Sequence, residues 1–483
     1  MKLNDIISNI QVTAIHGNNN PVITSVTFDS RMVCEGALFV AVKGTSTDGH
    51  DYIDSALEKG AAAIVCEKSG YANRVATIIE TPDSKSALGL ISSNYYDRPS
   101  EKMKVIGITG TNGKTTTVTL LYHLFTSLGY KCGLISTIEN IIAGKKSEAT
   151  HTTPDPVNLN KLMHEMALAG CEYCFMEVSS HALDQERVAG INFRGAIFSN
   201  ITHDHLDYHK DFRSYINAKK RLFDNLPSSS FALTNSDDKN GEVMLQNCKA
   251  RKYTYSCLSF ADFNCKIVEN TLDGMQLKIG NRDIWSRFIG QHNAYNLLAV
   301  YSTAILLGGS VEEVLTALSA LQSVSGRLEY VKGGDNLTAV VDYAHTPDAL
   351  GNVLKTLRDV ASDTELITVF GCGGNRDKTK RAEMAKISAK YSDRIVVTSD
   401  NPRFEEPEAI IEDIKKGFEK KELLKAIFIT DRREAIKSAL SIARPGSIIL
   451  VAGKGHENYQ DVKGVKHHFD DKEEINAVFK LME

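Results

Sequence analysis

Short apolar runs, polar turns and helix-length amphipathic stretches alternate along the whole chain, which predicts an α/β protein. The sharpest instance is the apolar run Val105-Ile-Gly-Ile108. It enters a glycine-rich turn, and Val118, Leu121, Phe125 and Leu128 then recur at helical spacing until Gly129. Upstream, Leu38–Val42 and Ala61–Cys66 read as strands around a helical stretch from Tyr52 to Lys59 that Gly60 ends. Downstream, apolar strands close at Glu177 and at Asn200. In the last third, strands over 338–342, 366–370, 395–398 and 447–451 alternate with helical stretches near 380–391, 407–420 and 432–443. That alternation predicts a mostly parallel sheet covered on both faces. Pro99 and the charges of Tyr95–Lys102 break the pattern, so the expected domains are 1–100, 101–330 and 331–483.

Charge narrows the partners. Across 483 residues, 56 basic and 60 acidic side chains leave a net charge of −4, and no long basic run offers a nucleic-acid surface. No basic segment precedes an apolar core at the N-terminus, and nowhere do about eighteen apolar residues run together, so membrane insertion is not expected. A cytoplasmic monomer is the expectation. Nine scattered cysteines fit reduced thiols, and the Cys171/Cys174 pair reads as strand packing rather than a metal or redox site.

The candidate chemistry sits where strands end. In Gly110-Thr-Asn-Gly-Lys-Thr-Thr116, Gly110 and Gly113 let backbone N–H groups close on phosphate oxygens and Lys114 adds a mobile charge. Thr115 offers a hydroxyl for magnesium. Glu177 ends its strand where nucleotide sites lie in parallel sheets, so it reads as a metal ligand, with a structural salt bridge as the alternative. The stretch Ile201-Thr-His-Asp-His-Leu-Asp-Tyr-His209 could form a metal edge, and triphosphate chemistry favours magnesium over zinc there. Lys219, Lys220 and Arg221 read by themselves as a solvated basic turn. Asn293 could cap its helix or meet a base edge. The turns Phe28-Asp-Ser-Arg31 and Gly44–Gly49 offer hydroxyls for a phosphate or sugar, or are plain solvated turns. In the last segment Arg376, Asp400, Arg403 and Glu457 share strand-end loops and together could hold a zwitterion. No dinucleotide fingerprint follows any strand there.

Six motifs together resemble the Mur ligases, and specifically the MurE group among them. They are Gly110–Thr115, Glu177-Val-Ser-Ser-His181, Asn200-Ile-Thr-His-Asp-His205, Gly326-Arg-Leu-Glu329, Asp342-Tyr-Ala-His-Thr-Pro347 and Ala452-Gly-Lys-Gly-His-Glu457. The resemblance implies a small N-terminal UDP-binding α/β domain, a central phosphate-loop ATPase-like domain and a C-terminal Rossmann-like domain. It implies an ATP-dependent ligase that joins UDP-N-acetylmuramoyl-L-alanyl-D-glutamate to meso-diaminopimelate through an acyl phosphate. Phe28, Ser30 and Thr45-Ser46-Thr47 would hold the UDP part, and Thr152, Thr153, Ser179, Gln185 and Arg187 the muramoyl peptide. His151 stands before the two threonines where some relatives carry Asn. Lys219 aligns with a carbamylated lysine that binds magnesium, with His205 as a further ligand. Asn293 and Asn296 would lie near adenine, Asp342 near ribose and Arg327 near the phosphates. Asp400-Asn401-Pro402-Arg403 is similar to the diaminopimelate signature, with Gly453 and Glu457 completing that site. The lysine-adding relatives and folylpolyglutamate synthetases are the alternatives within the class. A phosphate-loop switch or motor ATPase, or a nucleotide-sugar-binding protein without chemistry, lies outside it.

Overall fold

The computed structural model of the chain describes residues 1–17, 20–44, 47–67, 70, 76–202, 204 and 206–482, with 206 and 207 described by backbone alone. Its contacts divide it into two units. The first comprises Met1–Gly110, Thr117–Ser199 and Arg213–Thr254, and the second Thr111–Thr116, Asn200–Phe212 and Tyr255–Glu483.

The first unit holds a five-stranded sheet in the order Ala14–His16, Thr77–Glu80, Ala63–Cys66, Ala37–Val40, Ser25–Thr27, parallel except for its first member. Leu38, Val40, Ala63 and Val65 pack on one face with Leu88 and Ile91. Phe39, Ile64 and Cys66 pack on the other with Ile53 and Ala56. Burial on both faces explains why these strands read as unbroken apolar runs. The turns after Ser25–Thr27 and Ala37–Val40 leave the same edge, because those strands pair in parallel.

A second sheet in this unit sets Lys104–Thr109 between Phe193–Phe198 and Tyr173–Glu177, all parallel. Phe231–Asn235 and Cys132–Ile135 extend it in parallel on either side. Gly195 is needed where it stands: a Cβ there would lie 2.2 Å from the Phe231 ring. The nine cysteines are free thiols, and Cys171 and Cys174 are buried as expected of packing residues.

The second unit carries the sheet foreseen for the last third. Its order is Glu329–Lys332, Thr338–Asp342, Ile448–Ala452, Leu366–Phe370, Arg394–Val397, Ala426–Phe428, parallel except at the first strand. Val340, Phe370, Ile395 and Leu450 face Leu354, Met384 and Ile414, while Val341, Val369, Val396 and Val451 face Ile436, Leu440 and Phe479. Four polar loops therefore open from one edge. An antiparallel trio, Phe263–Thr271, Gly274–Ile279 and Arg282–Ser286, belongs to the same unit and was not foreseen. Among the described residues, no helix is long and apolar enough to cross a membrane.

Candidate active site

In the first unit the site is built around the end of Tyr173–Glu177. Glu177 is 1% exposed; its Oε1 accepts the Thr137 N–H at 2.7 Å, and its Oε2 has no hydrogen-bond partner among the described residues. Among the described residues, no cation is bonded to it. Its backbone carbonyl accepts the Thr153 hydroxyl at 2.9 Å, and that hydroxyl accepts the Ser179 N–H at 3.1 Å. The Thr137 hydroxyl donates to that of Thr152 at 3.0 Å. Arg187 donates to the Thr153 carbonyl at 2.8 Å and clasps Gln185 Oε1 through Nε and Nη2. Hydrogen bonds thus link Thr153, Ser179, Arg187 and Gln185 to the Glu177 backbone, and Thr152 to Thr137, whose N–H holds the Glu177 carboxylate.

Lys219 corrects the reading of a solvated basic turn. It lies in the helix Phe212–Asp224, where Lys219 is 1% and Lys220 6% exposed. Lys219 Nζ donates to the Gly110 carbonyl at 2.8 Å and sits 4.6 Å over the Tyr215 ring. The helix turns that face inward because Tyr215, Ala218, Leu222 and Phe223 pack on the same side. Lys220 is matched with Asp224 at 2.5 Å, and Arg221 reaches Glu186 at 3.4 Å.

On the five-stranded sheet, Phe28 and Ser30 stand on the first turn and Thr47 on the second. The Gly44 N–H closes the second turn onto the Thr47 carbonyl at 2.9 Å. Asp48 then caps the following turn and accepts from the buried His50 ring at 2.6 Å, a brace the sequence did not announce. Asp29 caps the first turn and grips Arg31 with both oxygens, which lowers the Asp29 pKa. Thr45, Ser46 and His205 lie outside the described residues.

In the second unit the phosphate loop is laced to the segment after Phe198. Thr111 N–H donates to the Asn200 carbonyl at 2.8 Å, Asn112 N–H to Asn200 Oδ1 at 3.0 Å, and Thr202 N–H to the Thr111 hydroxyl at 3.0 Å. Two of the loop's amides are thereby bonded to protein acceptors, and the loop runs directly into the helix Lys114–Ser127. Gly113 takes φ +86°, and Lys114 Nζ folds onto the Thr111 carbonyl at 2.9 Å. Asn112 Nδ2 donates to Asp348 Oδ2 at 2.7 Å; the same oxygen accepts from Thr202 at 3.2 Å and Asn352 at 3.4 Å. Burial raises the Asp348 pKa. Sequence reading passed over Asp348, which looked like one more loop carboxylate.

Arg327 lies 4.5 Å over the Tyr343 ring and points Nη2 at the Thr115 hydroxyl at 3.4 Å, while its buried Nε has no partner among the described residues. Asp342, whose pKa burial raises, accepts the Leu328 and Ala344 N–H groups, each at 2.8 Å. It braces the turn that carries Arg327. His456 packs 5.0 Å from Tyr343; burial and then Arg327 push its pKa down to about 3. Asn293 donates to the Ile289 carbonyl at 2.9 Å and accepts from Asn296 at 3.1 Å, so it does not cap the helix Gln291–Leu306; Gly290 holds that position.

The zwitterion loops also meet. Asn401 Nδ2 donates to Glu457 Oε2 at 2.8 Å, and the fully buried Lys454 bridges Asn401 Oδ1 at 3.2 Å and Glu457 Oε2 at 3.1 Å. Burial and then Asp400 raise the Glu457 pKa. A Cβ on Gly453 would lie 2.5 Å from Asp400 Oδ2, so only glycine leaves room there. Pro402 is buried, Arg376 stands exposed on its loop, and Arg403 Nη1 donates to the Gly374 carbonyl at 2.9 Å. Beneath these loops Arg432 and Asp471 form a pair with no solvent exposure, at 2.7 and 2.8 Å. Arg432 also donates to the carbonyls of Ala452 at 3.0 Å and Ser399 at 3.5 Å.

Known proteins match this arrangement from end to end. The description "Mur ligase family, catalytic domain" matches residues 22–96, "Mur ligase middle domain" residues 108–304, and "Mur ligase, glutamate ligase domain" residues 326–455. A UDP-N-acetylmuramoyl-L-alanyl-D-glutamate--2,6-diaminopimelate ligase of Cytophaga hutchinsonii is 54% identical over 98% of each chain. Its counterpart in Parabacteroides distasonis is 53% identical over 100% of each. The solved structure of a ligase of the same description superposes with a TM-score of 0.71 at 31% identity, over 100% of this chain and 99% of that one. With identity this high along its whole length, and the three domain types met in sequence order, this chain belongs to the Mur ligase family.

Proposed function

We propose that the chain is an ATP-dependent ligase that adds meso-diaminopimelate to UDP-N-acetylmuramoyl-L-alanyl-D-glutamate, a step of peptidoglycan precursor synthesis. Full-length similarity to curated relatives of that description supports the reaction. The observation that carries the chemistry is Glu177: a buried carboxylate with one oxygen that has no hydrogen-bond partner among the described residues, on a backbone that Thr153, Ser179 and Arg187 tie together. Such an oxygen is costly unless a cation takes it. Residues 1–100, 101–330 and 331–483 serve as the UDP-binding, ATP-binding and amino-acid-binding domains.

The acceptor's glutamyl carboxylate attacks the γ-phosphorus of ATP and ADP leaves. The amine of the incoming amino acid then attacks the acyl carbon of the acyl phosphate; orthophosphate leaves and the nitrogen loses a proton. Activation is required because a carboxylate at neutral pH is a poor electrophile. Lys114 and Arg327 supply positive charge to the phosphates, and the amides at the start of Lys114–Ser127 orient them. Thr152, Thr153, Ser179, Gln185 and Arg187 position the peptide, and Phe28, Ser30 and Thr45–Thr47 the nucleotide end. Asn293 and Asn296 meet the adenine, and Asp342 the ribose.

The residues present fit magnesium. Glu177 Oε2, which has no hydrogen-bond partner among the described residues, and the Thr115 hydroxyl are hard oxygen donors that would hold one ion; Lys219, buried beside the Gly110 carbonyl, would become another such donor as its carbamate and hold a second ion with His205. When bound, magnesium neutralises charge on the phosphates. Asp400, Asn401, Pro402, Gly453 and Glu457 enclose the amino acid. Arg376 and Arg403 offer guanidinium for its carboxylates, and Arg403 selects the distal carboxylate that lysine lacks.

Phosphate release tests the reading. It should require ATP, acceptor and diaminopimelate together. Hydrolysis of ATP alone would point to a motor or switch, and release with lysine in place of diaminopimelate to the lysine-adding relatives.

A further inference from the structure

Arg403 is aimed by its neighbours. Its backbone is left-handed at φ +52°, its N–H donates to the Asp461 carbonyl at 2.9 Å, and its carbonyl accepts the Lys463 N–H at 2.7 Å. The guanidinium rests against glycines: a Cβ on Gly373 would lie 2.8 Å from Arg403 Nη1, and one on Gly374 1.9 Å from the Pro402 carbonyl.

On both sides of Arg403 the loop 371–378 is stitched to the loop 399–405. Gly374 N–H donates to the Asn401 carbonyl at 2.9 Å, and Phe404 N–H to Asn375 Oδ1 at 3.0 Å. Asn375 N–H in turn donates to Glu405 Oε1 at 2.6 Å. The Glu405 carboxylate is held by Arg381, whose side chain is 1% exposed and which reaches Glu405 through both terminal nitrogens and Asp413 at 2.9 Å. These bonds, Arg381 first, push the Glu405 pKa down to about 2, so the clamp is ionised at any working pH.

Resting on the reading of Arg403 given above, we propose that Glu405, anchored by buried Arg381 and acting through Asn375, is a positioning residue that sets amino-acid selectivity. It fixes the loop whose Gly374 carbonyl seats the Arg403 guanidinium. Glu405 touches no substrate. Without it, the guanidinium keeps its charge but loses its aim, and a two-pronged contact depends on aim.

The test is steady-state phosphate release by the full chain with ATP and acceptor, titrating diaminopimelate and lysine separately. Glu405→Ala should raise the KM for diaminopimelate about tenfold, the value of one charge-assisted contact, with kcat changed by less than about twofold. The KM for ATP should stay put, and the preference for diaminopimelate over lysine should fall toward that of Arg403→Ala. Asn375→Gly guards against a folding defect. Asn375 is exposed at φ +53°, which glycine adopts freely, so this change deletes only the acceptor of the Phe404 N–H; it should shift selectivity in the same direction. Unchanged selectivity in both variants, or an equal rise in the ATP KM, overturns the proposal. If the unmodified enzyme ignores diaminopimelate, the reading of Arg403 fails first and this inference falls with it.

Discussion

Asp348 gives the most direct check on how the phosphate loop is held. Its Oδ2 alone accepts from Asn112 Nδ2 at 2.7 Å, Thr202 Oγ1 at 3.2 Å and Asn352 Nδ2 at 3.4 Å. In Asp348→Ala, the first two donors lose an acceptor, each worth roughly 1.5–3 kcal/mol when the acceptor is charged and fully buried. Two effects reduce that figure. The site is only part-buried, and burial raises the carboxyl's pKa, so removing the charge recovers some desolvation cost. A net loss of about 1–2 kcal/mol remains, or about a 5- to 30-fold rise in the ATP KM if the freed Asn112 loosens the loop. Asp348→Asn is the informative control. Because one oxygen takes all three donors, an amide oxygen in the same place should keep the ATP KM within about threefold of the native value. ATP titrations at saturating acceptor and amino acid measure both. An Ala variant with native ATP KM, or an Asn variant as impaired as the Ala variant, refutes the reasoning.

Two other outcomes are expected. Removing dissolved carbon dioxide should lower the activity of the native enzyme in a way that bicarbonate restores, while Lys219→Ala should be slow and indifferent to bicarbonate; native activity that ignores bicarbonate would remove the carbamate. His292 and His456 are held neutral by burial, with pKa values pushed down to about 4 and about 3, below the 6.5 of an unperturbed ring. Their contribution to stability is therefore complete above about pH 6.5 and lost as the pH falls toward 4, on the order of 1–2 kcal/mol each by pH 5. Melting curves at pH 7.5 and 5 should converge in the His292→Gln, His456→Gln double variant.

Strands buried on both faces, such as Leu366–Phe370 and Lys104–Thr109, were legible because they are continuous apolar runs that end in polar loops. The antiparallel trio over 263–286 was missed although Asp273-Gly274 and Gly280-Asn281 stand at its two turns, since its half-exposed strands are interspersed with charges and give only a weak apolar alternation. Glu177 stood out as an acid at the end of an apolar strand. Lys219 could not be read from spacing: it is one of three consecutive cations, two of them buried, and only the packing of Tyr215, Ala218, Leu222 and Phe223 decides that it is Lys219 that reaches the Gly110 carbonyl. Resemblance singled it out where physics on the sequence could not. Lys454, Asp348 and Glu405 stayed hidden for a related reason, as their partners lie 53, 236 and 30 residues away.

The Arg432–Asp471 pair limits how this enzyme can change its amino-acid substrate. It is sealed from water, and its guanidinium also carries the carbonyls of Ala452 and Ser399, the residues immediately before Gly453 and Asp400. Neither ion can be exchanged alone without stranding the other, a loss of roughly 3–5 kcal/mol. Mutational drift toward a new side chain in the pocket is thereby channelled to the loop tips, where position 403 lies. The floor under both loops can be changed only as a pair.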